Sequence, residues 1–81
     1  MSIEEDILTR AALRGPQKTI CPSEVARALW ANDWRQHMEE VRKVAFALRD
    51  QGKVKILQKG QEIAGDTIKG PMRIQIIEST L

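Results

Sequence analysis

Residues 22–51 constrain this chain more than any other stretch. They carry two helical patterns, 22–30 and 34–51, separated only by Ala31, Asn32 and Asp33. In the first, Val25, Ala26, Leu29 and Trp30 recur at helical spacing, which leaves Glu24 and Arg27 outside. In the second, at about 100° per residue, Trp34, Met38, Val41, Val44, Ala45 and Leu48 gather on one face. Arg35, Glu39, Arg42, Phe46 and Arg49 form a separate stripe, and Gln36 and Lys43 continue the polar side. So short a connection forces the two helices to pack as a close pair, the spacing of a helix-turn-helix.

The ends of these helices are marked by capping chemistry. Pro22 opens the first at a position where its missing amide costs nothing. Asp33, with Gln36 three residues on, predicts a capping box at the start of the second. Gly52, after Gln51, ends it by taking the left-handed conformation. Upstream, Ser2 and Glu5 predict another capping box and a helix over 2–14, with Ile3, Ile7, Leu8 and Ala11 on its inner face. Gly15 and Pro16 stop it, since proline disfavours helix in the residue before it.

Downstream the period changes from helical to alternating. Val54 and Ile56 alternate with Lys53 and Lys55, and Met72, Ile74 and Ile76 alternate with Arg73 and Gln75. Strands are expected over 53–59 and 72–77, with residues 60–71 as a long loop that Ile63 and Ile68 tuck back on itself. Thr19 and Ile20 are expected to add a short strand to this hairpin. The order of elements is that of a winged helix-turn-helix. It is an α+β fold of three helices, a small antiparallel hairpin as the wing, and a third short strand. Eighty-one residues make one such domain, spanning 1–81, with a core small enough that every apolar face must be used.

Charge points to a partner class. The net charge is only +2, but residues 35–73 hold nine Lys and Arg against five Asp and Glu. That excess falls on the second helix of the pair and on the loop, where a phosphate-facing surface would carry it. A single cysteine, Cys21, excludes an internal disulfide and suits a reducing compartment. With Glu4, Glu5 and Asp6 near the start and no apolar run there, neither a signal peptide nor a membrane anchor is expected. A cytoplasmic location follows.

Several motifs add a resemblance. Residues 18–29 (KTICPSEVARAL), Asp33-Trp34-Arg35, Gln58-Lys59-Gly60 and Lys69-Gly70-Pro71-Met72-Arg73 resemble a small, mainly bacterial winged-helix family of unknown function. The likeness runs from about residue 7 to 76. It implies a winged-helix fold, with nucleic-acid binding as the usual assumption for that class. It supplies no substrate and no established binding residue.

Arg35, Gln36, Glu39, Arg42 and Lys43 are the candidates for groove contact, because the first half of a recognition helix reaches base edges. Glu39 can accept from cytosine, or pair with Arg35 or Arg42 along its own stripe. Glu39 and Glu40 would also repel phosphate. Lys59, Gln61, Lys69 and Arg73 are placed to touch backbone from the wing, whereas Lys53 and Lys55 protect a strand edge. Trp30 and Trp34 flank the turn and lock the helix pair, whereas Phe46, on the arginine stripe and not with the core, packs against the wing or helix one or offers a protein contact.

Cys21 and His37 stand alone, without a second thiol or partnered base nearby, so neither metal, redox pair nor nucleophilic dyad is expected. No cofactor motif occurs. The chain reads as a non-catalytic nucleic-acid-binding protein. Double-stranded DNA is the leading partner and RNA a further one. A protein-interaction or dimerisation module on the same scaffold is the alternative.

Overall fold

A computed structural model describes residues 2–65 and 70–77. Helix α1 (Ile3–Arg14) starts where Ser2, in an extended conformation, accepts the Glu5 N–H on its hydroxyl oxygen at 3.0 Å. The helix buries Ile7 and Ala11 and packs Ile3 and Leu8 against the same core. Gly15, at φ 101°, ends it. A φ of that sign is open to glycine at little cost, so the chain can turn away here.

Helix α2 (Pro22–Leu29) begins at Cys21, whose N–H donates to Glu24 Oε2 at 2.8 Å. The helical periodicity places Glu24 outside the core. Glu24 there caps α2 and accepts from Arg14 Nη2 at 2.6 Å, tying the first two helices together. Arg14 also donates to the Thr19 carbonyl at 2.9 Å.

The expected helix over 34–51 is two elements. Trp34–His37 is a 3-10 turn, and α3 proper runs from Met38–Asp50. The predicted cap at Asp33 does not form: its carboxylate makes no capping bond to the backbone and lies 3.1 Å from His37 Nε2 instead. With the first amides left to tighter pairing, the Gln36 N–H bonds the Asp33 carbonyl at 3.0 Å, the i to i+3 pattern of a 3-10 turn. The other end follows expectation. Gly52, at φ 78°, donates to the Arg49 carbonyl, and the Lys53 N–H reaches back to that of Leu48, a Schellman ending.

Three antiparallel strands complete the domain: β1 (Val54–Gln58), β2 (Gln61–Glu62) and β3 (Arg73–Ile76), in the order β2-β1-β3. Val54 faces Ile76 and Leu57 faces Arg73 across one side of β1, and Gln58 pairs with Gln61 across the other. The loop expected over 60–71 is therefore shorter, because its first residues turn straight back as β2. Lys59 and Gly60 form that turn with φ of 53° and 79°, the paired positive values of a type I′ hairpin. Ile63 packs on the core as expected, while Ile68 lies outside the described residues. The strand expected at Thr19 and Ile20 is a single bridge, Ile20 to Ile74, with both bonds at 2.8 Å.

The core lies between the helices and the sheet. Ile7, Val25, Val41, Ala45 and Leu48 from the helices meet Val54, Ile56, Met72 and Ile74 from the sheet side, all buried. Each large side chain contributes about 1.5–3 kcal/mol by leaving water, which fixes the face that α3 turns inward. The result is an α+β domain of three helices and a small antiparallel sheet, compatible with a winged-helix arrangement.

Candidate nucleic-acid interface

Because Val41, Ala45 and Leu48 face the core, the opposite side of the 3-10 turn and α3 faces solvent. Arg35, Gln36, Glu39 and Lys43 are exposed there and Arg42 is half-buried. Glu39 pairs with neither Arg35 nor Arg42. Its carboxylate is 3.8 Å from Lys43 Nζ, an exposed pair that contributes little. Arg42 Nε is buried without a hydrogen-bond partner among the described residues. The side chains of Arg35 and Gln36 likewise have no hydrogen-bond or ion-pair partner among them.

Trp34 gathers charge. Arg35 Cζ lies 4.5 Å from its ring centroid and Arg27 Cζ, from α2, lies 4.4 Å from it. Sequence reading left Arg27 merely outside. Nothing in the periodicity of either helix places residue 27 against residue 34, since only the fold of the turn brings them together. Both indoles are half-buried against the core, as expected of side chains that lock the pair.

His37, which stands alone in the sequence, has partners in the fold. Its Nδ1 is 2.9 Å from Glu40 Oε1 and its Nε2 is 3.1 Å from Asp33 Oδ2, while its ring stacks on Trp30 at 3.8 Å. Only the imidazolium can donate from both nitrogens at once. The bond to Glu40 raises its pKa from the ordinary 6.5 against the lowering effect of partial burial, and Asp33 adds to the rise. The available signal was spacing: acids four before and three after a histidine share its helical face.

The remaining candidates divide. Lys59 is exposed at the tip of the β1–β2 turn and Gln61 is exposed beside it on β2. Lys69 lies outside the described residues. Arg73 is engaged within the fold, donating from Nε to Thr19 Oγ1 at 2.9 Å. Arg49 does not continue the outward stripe. Its side chain is only 12% exposed, donates to the Gly65 carbonyl at 2.8 Å and lies over the Phe46 ring at 5.0 Å. Phe46 packs against the core cluster.

Lys53 sits 3.8 Å from Glu4, and the Ser23 hydroxyl donates to Cys21 Sγ at 3.1 Å. Among the described residues no three His, Cys, Asp or Glu side chains are grouped to hold a metal ion, and no helix is long and apolar enough to cross a membrane.

The chain is thus a small α+β domain whose Arg27, Arg35 and Arg42 side chains, near the meeting of its second and third helices, have no ion-pair partner among the described residues. The chain belongs to a family described as a protein of unknown function (DUF3253), whose model matches residues 1–77. No curated protein matches it.

Proposed function

We propose that this is a winged-helix domain that binds duplex DNA, with α3 in the major groove and the β1–β2 hairpin, as the wing, on the adjacent backbone. One observation carries the reading. The side chains of Arg35, Gln36 and Arg42 have no hydrogen-bond or ion-pair partner among the described residues, although Asp33, Glu39 and Glu40 lie close to them in the chain. Those acids are committed elsewhere: Asp33 and Glu40 to His37, and Glu39 to Lys43. The repulsion expected from Glu39 is thereby softened by Lys43, and that from Glu40 by His37 when its imidazole is protonated. Lys59, at the hairpin tip, adds a charge placed for phosphate. The single cysteine suits a reducing, cytoplasmic setting.

The rival reading, a docking face for a protein or a second copy, drew on Phe46 as a contact. That ring is half-buried against the core beneath Arg49, so the reading has less to stand on.

Fluorescence anisotropy of a labelled mixed-sequence duplex, titrated over salt, tests the proposal. The expected result is an affinity whose logarithm falls linearly with the logarithm of salt, with a slope of about −0.9 per phosphate contacted. Absence of binding at low salt overturns it. Tighter binding to an RNA duplex of the same sequence would reassign the partner, since A-form RNA hides its major groove.

A further inference from the structure

We infer that Arg27 and Arg35, braced on the Trp34 ring, form a seat for one phosphate group. On the DNA reading above, on which this inference rests, that group is a backbone phosphodiester.

Two guanidinium centres lie 4.4 and 4.5 Å from one indole centroid, so they can be no farther apart than those two distances laid end to end. Two cations within that limit are ordinarily answered by a carboxylate. None is supplied here. Neither arginine side chain has a hydrogen bond or ion pair among the described residues. Each acid close by in the chain is engaged: Glu24 by Arg14, Asp33 and Glu40 by His37, Glu39 by Lys43. The indole attracts both cations through its ring face but carries no charge to neutralise them.

The two arginines come from different elements, α2 and the 3-10 turn, so the seat exists only when the turn is folded. A guanidinium resting on a ring keeps its N–H edge available, and that planar fork matches the paired oxygens of a phosphate. Position agrees with the charge argument. Gln36, another candidate contact, follows Arg35 directly, so a phosphate in the seat would set the register of the 3-10 turn and α3 against their target.

The test uses the full chain and the exposed-site variants Arg27→Gln and Arg35→Gln, with unchanged circular dichroism as the folding control. Each variant is expected to weaken duplex binding roughly fivefold to tenfold at fixed salt and to lower the salt slope by about one. Because both arginines serve one phosphate, the double variant should lose less than the product of the single effects. In parallel, NMR follows the Arg27 and Arg35 Nε–H and the Trp34 indole N–H as inorganic phosphate is added. The three signals should move together in the wild type and not in Arg27→Gln.

Duplex binding that ignores both substitutions overturns the seat and leaves the DNA reading intact. Coupled shifts with inorganic phosphate in a protein that binds no duplex support the seat and remove the DNA reading. No response to either ligand removes both.

Discussion

The imidazole of His37 lies face to face with the indole of Trp30, with ring centroids 3.8 Å apart and planes within 7° of parallel. The stack spans the connection between α2 and the 3-10 turn. Asp33 and Glu40 approach the same imidazole from its two nitrogens, so one side chain ties the end of α2, the turn and the first turn of α3. An imidazolium satisfies all three contacts, as a donor to each acid and a cation against the indole.

Stability should therefore fall with rising pH through this residue. The Glu40 bond raises the folded-state pKa of His37 above the ordinary 6.5, with burial opposing and Asp33 assisting. A group raised on folding contributes in full below its unfolded value and loses that contribution as pH climbs through its folded value. Melting temperatures of wild type and His37→Gln should differ most at mildly acid pH and converge on the alkaline side. A gap that stays constant, or an NMR titration of His37 at or below the ordinary histidine range, would sink the clamp.

Asp33 should matter only through His37. If it capped the helix backbone, Asp33→Ala would cost about 1 kcal/mol in any background. Its carboxylate points to the imidazole instead, so the substitution should destabilise the wild type and be nearly silent in His37→Gln. Urea denaturation of the four proteins in this cycle decides between the two roles.

Glu24 should behave as a structural acid. Burial pushes its pKa up, but the Cys21 N–H and the Arg14 guanidinium outweigh this and hold it below the ordinary 4.5. Its contribution is thus present above the unfolded value and fades as pH falls through the folded one. Glu24→Ala removes a cap bond and an inter-helix tie. About 1–2 kcal/mol is expected, read at neutral pH as a drop in the urea midpoint. A variant as stable as wild type would mean the tie is idle.

Lys59 separates folding from binding. Its φ of 53° is costly for a residue with a Cβ, whereas glycine adopts it freely. Lys59→Gly should leave the melting temperature unchanged or raise it, by up to about 1 kcal/mol in stability, while flattening the salt dependence of DNA binding. Gly60→Val, at φ 79°, should destabilise the hairpin by a similar or larger amount. Lower stability in Lys59→Gly would show that the lysine side chain supports the turn.

Local signals carried most of the architecture. Ser2, Pro22 and Gly52 placed three helix boundaries because a cap, an N1 proline and a left-handed glycine act on their immediate neighbours. Alternation in 54–56 and 72–76 located β1 and β3 because one face of each is buried. What escaped depended on competition or on tertiary proximity. Asp33 had the right identity for a cap, but His37 won its carboxylate. The Lys59-Gly60 turn lacked the Asn or Asp that usually announces a type I′ hairpin, so β2 was absorbed into the loop. Arg27 against Trp34, and Arg73 against Thr19, join residues whose separation in sequence gives no hint of contact.

Placing β1 at the centre of the sheet also bears on how copies of this chain treat one another. The longest strand has both of its flanks paired, and the outer positions fall to β2, which is two residues long, and to β3, whose free side is interrupted by Ile20. Among the described residues little continuous ladder is left for a stranger's backbone to extend, which is how small proteins discourage edge-to-edge aggregation. A domain of this size can then leave its arginine-bearing face exposed without its sheet recruiting neighbours.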